Sequence, residues 1–569
     1  MDDRQALRLH SLGEKTPQLV FRNGLVFNVF TGELLPGDIA VQNGVIVGVG
    51  SYRGEREVDL GERVVIPGLI DAHMHLESTM VSPRLFAEKI LPWGTTTLIA
   101  DPHEIANVLG AKGISYLLEE TKGLPLNVYL MLPSCVPATR FEHNGAPLSA
   151  QEMAQFLHHP RVLGLGEVMD CPAVLAGDPD KLEKLRLFAG KPIDGHAPGL
   201  TGKELAAYRL LGVSSDHECT TFQEALEKLR CGMTIQVREG SAARNLDAIL
   251  TGAVKMGLPL DRFVFCTDDK HLDDIAREGH IRWNVLRAIQ LGVPPGEAVK
   301  MATLYPARLY GLSDLGAIAP GFRADLVVLD SLEEMAVHSV YKDGVLVSRK
   351  GSSPTLPPNP RPIDPACLDT VHLGHLTPES LALPVQGEIP VITLLPGSIV
   401  TKKEISAVPT AGGCFQPQGE FYKIAVAERH HATGNIGVGV VKGFGVKNGA
   451  IASTIAHDAH NMIVVGDNDR DMLLAMEELA RCHGGYTVVE NGRVAGTLPL
   501  PIAGLFTDDR TADIQGKLGE LIAKVRAMGV RPEVEPFITL SFVSLTCIPE
   551  IRITDLGVFD FATQSFLLP

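Results

Sequence analysis

A chain of 569 residues is longer than one hydrophobic core sustains, so two to four domains are expected. Apolar residues make up 45% and charged residues 21%, with a net charge of −16, a balance that suits a soluble protein and disfavours binding to nucleic acid or an anionic membrane. No apolar run reaches the length of a membrane span, the N-terminus lacks a secretory pattern, and nine cysteines without paired spacing point to reduced thiols, so a cytoplasmic protein is expected.

Residues 17–66 read as short β-strands separated by turns, with Asn23-Gly24 and Asn43-Gly44 between apolar runs as hairpin signals. From 67 to about 312 the pattern becomes strand then helix, repeated. Eight apolar strand candidates end near His75, His103, Cys135, Asp170, Gly199, Thr220, Ser241 and Asp269, with helical stretches such as Ile105–Thr121 and Lys203–Leu211 between them. This α/β pattern predicts a (β/α)8 TIM barrel over 67–312, which would carry its chemistry at the C-terminal strand ends. Leu315–Leu329 and Tyr341–Val347 return to β character. They are expected to pair with 17–66, so that 17–66 and 313–351 form a small flanking β-sandwich domain built from both sides of the barrel. Residues 352–365 are proline-dense and read as an extended linker, and 366–569 as a C-terminal α/β domain.

The strand ends are rich in ionisable groups. His73 and His75 stand two apart on the first strand, so both imidazoles leave one face together and can chelate a metal. Asp101-Pro102-His103-Glu104 closes the second strand, Glu167 the fourth, His196 the fifth, His217 the sixth, Arg238 to Ser241 the seventh and Asp268-Asp269 the eighth. His73, His75, Glu167, His196, His217 and Asp268 are too many ligands for one tetrahedral ion and suit two ions that share a carboxylate. Glu167 is the bridge in this reading, with His73, His75 and Asp268 on one ion and His196 and His217 on the other. Two dications make hydroxide available near neutral pH, and Asp268 would carry its proton to a leaving group. Glu77, two beyond His75, points back toward the site or forms a loop salt bridge. His103 is a second candidate contact, and Glu104 reads equally as a helix N-terminal charge. His271 and His280 read as surface or helix residues. His457, Asp458, His460 and Asn461 read as a satisfied polar turn, with a third metal or a lid over the barrel as the alternatives.

Pro67 to His75, the single histidines on strands five and six, the aspartate on strand eight and Gly321-Phe322-Arg323-Ala324-Asp325-Leu326 together resemble the amidohydrolase superfamily. His73-Met74-His75-Leu76-Glu77-Ser78, Asp101 to Val108, Cys266 to Asp269, Gly434 to Gly439 and His457 to Asn461 are most similar to the bacterial adenine deaminases, from about residue 17 to the end. The resemblance implies hydrolytic deamination of adenine to hypoxanthine and ammonia, with two divalent ions per subunit, manganese or iron, zinc also suiting the donors. It implies adenine and water as the partners, no nucleic acid or membrane, and a homo-oligomer, a dimer. Gly166-Glu167 stands where many hydantoinase-like members carry a carboxylated lysine, and the resemblance favours Asp268 over Asp269 as the ligand. Arg238, Glu239 and Ser241 are candidate substrate contacts along the purine edge. A different amidohydrolase, acting on a cyclic amide or another amino-heterocycle, is the alternative reading, and a non-catalytic scaffold the remote one.

Overall fold

Short apolar strands alternating with amphipathic helices bury both strand faces only if the strands run parallel with the helices packed outside. The structure, a computed structural model, describes residues 2–568 except 242 and 397. Strands Leu69–Met74, Thr95–Ala100, Asn127–Leu132, Val162–Val168 and Ile193–Gly195 pair in parallel and in chain order. Ser215–Asp216, Thr234–Arg238 and Phe263–Cys266 form a second parallel set. Two seams join the sets. The Ser214 N–H donates to the Ile193 carbonyl at 2.9 Å, and the Asp268 N–H to the His73 carbonyl at 3.0 Å, beside a parallel bridge between Met74 and Asp268. All eight strand candidates are therefore present in a barrel of TIM type.

The two flanks of the barrel make one mixed sheet of eight strands. Its joint is the antiparallel pairing of Val64–Pro67 with Leu326–Leu329. Here the structure differs from the expected two-sheet sandwich: the sheet is continuous and turns back on itself, the Ile46 N–H reaching the Phe322 carbonyl and the Ala324 N–H the Gly44 carbonyl, both at 2.8 Å. Phe21, Ile39, Leu326 and Tyr341 fill the interior of that turn. The proline-dense segment lies extended along the barrel, its Leu356 N–H donating to Glu88 Oε1 at 2.6 Å and its Pro357 carbonyl accepting from Arg84 at 3.2 Å.

Eight further strands between Glu388 and Pro499 form a second mixed sheet, which carries the helix Asp469–Arg481. Asn468 caps that helix, its side chain accepting from the Asp471 N–H at 2.9 Å. Helix Pro536–Val543 and a three-stranded sheet, Ile551–Thr554, Gly557–Asp560 and Ser565–Leu568, follow. This region sits on the barrel mouth. The Thr507 N–H donates to Met80 O at 3.0 Å, the His143 N–H to Asp555 Oδ1 at 3.0 Å, and Asn461 Nδ2 to His143 O at 2.7 Å. Met80 and His143 lie in loops that leave the C-terminal ends of barrel strands, so the second region closes over the functional face. Among the described residues no helix is long and apolar enough to cross a membrane.

Candidate metal centre

Parallel strands that end together bring side chains from distant parts of the sequence to one point. Glu167, 3% exposed, is that point. Its Oε1 stands 3.2 Å from His75 Nε2 and 3.7 Å from His73 Nε2. Its Oε2 stands 2.6 Å from His196 Nδ1 and 3.4 Å from His217 Nε2. One carboxylate thus turns an oxygen to each pair of imidazoles. Asp268 Oδ1 completes the first group, 3.0 Å from His75 Nε2 and 3.5 Å from His73 Nε2. Asp268 has φ 57°, the left-handed region that aspartate tolerates better than most residues. Its other oxygen is held by Arg238 at 2.6 Å.

The backbone around Glu167 is equally specified. Asp101 Oδ2 accepts the Glu167 N–H at 2.8 Å, and a Cβ on Gly166 would stand 2.0 Å from that same oxygen. Gly166→Ala therefore has to displace either Asp101 or the strand end, at a cost of about 1–3 kcal/mol. We expect a lowered thermal transition and a lowered metal content. An unchanged transition together with full metal loading would mean that Asp101 moves aside freely.

The donor chemistry fits divalent ions. His75 Nδ1 lies 3.0 Å from the Asp101 carbonyl, so it carries the hydrogen and leaves the Nε2 lone pair facing the cluster. His73 Nε2 is buried among the same groups without a hydrogen-bond partner. Burial works against charge on Glu167, yet its bonds to His103, His196, His217 and His75 hold its carboxyl well below the usual range. Burial likewise opposes Asp268, and Arg238 followed by His73 and His75 hold it well below. The carboxylates push His75 and His217 well above their ordinary value despite burial. Such a cluster draws positive charge to its centre, and a cation supplies it while taking the imidazole lone pairs in place of protons.

The other expected residues divide. His103 joins the cluster, Nδ1 standing 3.3 Å from Glu167 Oε1 and its ring 4.5 Å from that of His75. Glu77 is buried one cleft away beside Ser78, Glu104 and Asp269. Its Oε1 accepts the Ile105 N–H at 3.1 Å, and burial, then Glu104, pushes its carboxyl up to about 7. Arg238 lines the cavity with its two terminal nitrogens committed to Glu218 and Asp268, so it orients carboxylates, and its Nε is left buried without a partner among the described residues. Glu239 and Ser241 do not line the cavity. Side chains alternate along a strand, so Glu239 turns away from Arg238 and accepts from Trp283 Nε1 at 3.0 Å. Ser241 Oγ donates to Asp274 and accepts the His271 N–H at 2.9 Å. Asp269 takes the Ser78 hydroxyl, which leaves Asp268 as the aspartate facing His73 and His75. His280 is not a surface residue: it is fully buried, 3.0 Å from Thr95 Oγ1 and 3.2 Å from Asp71 Oδ2, and burial, then Lys270, keeps it neutral. Glu218, not singled out from the sequence, stands 3.4 Å from His217 Nε2 and lines the cavity. Its only signal was adjacency to His217.

His457 and His460 reach across from the second region to a barrel residue. His457 Nδ1 lies 2.6 Å from Glu104 Oε1, and His460 Nε2 donates to the other Glu104 oxygen. His460 Nδ1 accepts the Ala456 N–H at 3.2 Å, so Nε2 carries the hydrogen and the ring has no lone pair for a metal. The trio is a hydrogen-bonded clasp between the two regions. Asp458 lies beside it at the cavity, Oδ1 3.6 Å from His103 Nε2.

Comparison with known proteins is consistent across the whole length. The amidohydrolase family matches residues 64–347, and the adenine deaminase C-terminal domain matches residues 398–565. A protein of Desulfitobacterium hafniense named adenine deaminase is 48% identical over 566 residues, 99% of this chain and 99% of that one. One of Carboxydothermus hydrogenoformans named adenine deaminase 2 is 49% identical over 558 residues, 98% of this chain and 97% of that one. A third, adenine deaminase of Clostridium acetobutylicum, is 44% identical over 563 residues, 98% of each.

Proposed function

The chain belongs to the adenine deaminase family and hydrolyses adenine to hypoxanthine and ammonia, and on that premise we propose that the Glu167 cluster is its two-metal catalytic centre. The observation that carries the proposal is the division of Glu167, one oxygen toward His73 and His75, the other toward His196 and His217. In this assignment His73, His75 and Asp268 hold one ion, His196 and His217 the other, and Glu167 both. The imidazole and carboxylate set suits manganese or iron, and zinc also. Bound there, two divalent ions supply positive charge that brings the ionisation of water into the neutral range.

The chain's own residues then move protons. C6 of adenine is the carbon of an amidine, open to addition of hydroxide. Asp268 is kept ionised by Arg238 and turns Oδ1 to the cluster, so it accepts a proton from the attacking water. It delivers that proton to the exocyclic nitrogen, the C6–N6 bond breaks and ammonia leaves, and the C6 hydroxyl gives up its own proton as the carbonyl forms, replacing the one donated to N1. His103 lines the cavity, and against the effect of burial Glu104 and Asp458 raise it well above an ordinary histidine, which makes it the donor we assign to N1. Glu77, titrating near neutrality in the adjoining cleft, is assigned as the proton reserve behind Glu104. Supporting the division into a catalytic barrel at 67–312, a flanking domain at 17–66 and 313–351 and a C-terminal domain from 366 are the three separate sheet systems.

The test is ammonia release by protein loaded with manganese or iron, with adenine beside cytosine, guanine and dihydroorotate. Turnover of adenine alone is expected, lost on chelation and restored by two ions per subunit. Rapid turnover of one of the others with none of adenine would overturn the reading.

A further inference from the structure

A purine held with C6 at the Glu167 cluster turns its imidazole ring toward the rest of the cavity. That part of the wall comes from the C-terminal region: Ile399, Phe542, Leu545 and Ile548 are apolar, and His457 and Asp458 are polar. Among the described residues lining the cavity, His103 Nδ1, His217 Nδ1 and Arg238 Nε are buried donors or ring nitrogens without a partner, while the carboxylates are almost all engaged. Glu104 is taken by His457 and His460, Glu218 by Arg238, and Asp269 by Ser78. His457 spends Nδ1 on Glu104. Asp458 is the exception. It is 1% exposed, and its Oδ2 is the buried carboxylate oxygen in the cavity lining that has no hydrogen-bond partner among the described residues. A buried acceptor of this kind loses solvation without compensation until a donor arrives. The free base carries such a donor, the N–H of its imidazole ring, on N9 or N7 according to tautomer. A nucleoside has none, because the sugar occupies N9 and N7 is then an acceptor.

We propose that Asp458, delivered by the C-terminal region, accepts the imidazole-ring N–H of adenine at Oδ2 and thereby restricts the enzyme to the free base. The proposal rests on the reading of the Glu167 cluster as the site of deamination. It gives the C-terminal region a part in the reaction: the clasp of His457 and His460 on Glu104 sets the residue next to His457 against the cavity. The apolar neighbours sharpen the effect, since a lone acceptor in such surroundings cannot turn to water when the wrong ring is bound.

The experiment compares adenine with 9-methyladenine, the smallest probe that lacks the N9 hydrogen, in the metal-loaded enzyme and in Asp458→Asn and Asp458→Ala. Sites built to hydrogen-bond a substrate N–H reject the analogue without it by about 10⁴-fold, and discrimination of that order in kcat/KM is expected of the wild type. Asp458→Ala should lower kcat/KM for adenine by about 10²–10³-fold more than for 9-methyladenine, the loss common to both being the support Asp458 gives His103, and should keep two ions per subunit. Asp458→Asn, whose carbonyl still accepts, should recover part of the discrimination. A merely structural role would lower both substrates by one factor. Equal losses on the two substrates, unchanged discrimination in both variants, or a wild type that accepts 9-methyladenine as well as adenine would each overturn the assignment. Failure of the wild type to deaminate adenine at all is a separate result, which removes the reading of the cluster and is scored before the variants are compared.

Discussion

Glu167→Gln is expected to release metal and abolish turnover together. The substitution keeps the shape of the side chain and removes the one negative charge that both pairs of imidazoles face. An amide also offers N–H groups where lone pairs already point inward. Breaking a buried charge network by taking one partner leaves the remainder uncompensated, at about 3–5 kcal/mol. Metal analysis should fall from two ions per subunit toward one or none, and kcat by about 10⁴-fold or more, since removing the nucleophile-generating charge touches the chemical step itself. Two retained ions in the purified variant would rule out the bridging assignment, whatever the rate.

Asp268→Asn should separate chemistry from metal binding. Asp268 offers one oxygen to His73 and His75 and gives the other to Arg238, so the amide retains the packing and one oxygen for the cluster. What it loses is the capacity to take up and return a proton. General acid–base groups contribute about 10²–10⁴-fold, and the role of Asp268 in two successive transfers places this variant at the upper end, in kcat with KM little changed. Metal content should stay close to two per subunit. A kcat near that of the wild type would remove Asp268 from the proton path and leave it as a ligand.

The contrast between these two residues and Glu239 and Ser241 shows which information lies in a sequence of this kind. His73, His75, Glu167, His196, His217 and Asp268 come together because each stands at the end of an apolar run, and a barrel brings such ends to one face. The strands themselves end one to four residues before the positions read from the apolar pattern, close enough to nominate side chains that the structure brings to one point. Glu239 and Ser241 follow from the same reasoning and face elsewhere, because a shift of one residue along a strand reverses the direction of a side chain and Ser241 lies beyond the end of strand Thr234–Arg238. Glu218 shows the converse: it follows a nominated histidine, and the loop brings it round to the same cavity. His280 looked like a helix residue and lies in the barrel core, because its partners Thr95 and Asp71 are some two hundred positions away and nothing local announces them. The clasp on Glu104 was similarly hidden: Glu104 reads as an ordinary helix-start acid until residues 457–460 are set against it.

The sheet shared by the two flanks of the barrel bears on how the chain is made. Strand Val64–Pro67 finds its antiparallel partner only in Leu326–Leu329, with the whole barrel sequence in between. At a synthesis rate of about 5–20 residues per second, that edge waits tens of seconds with its backbone groups unpaired. Unpaired edges of apolar strands are templates for intermolecular pairing, so the nascent chain is most vulnerable on the ribosome while the barrel is still emerging. Slower translation through residues 67–325 lengthens that exposure and should raise the aggregated fraction without changing a single contact of the finished enzyme.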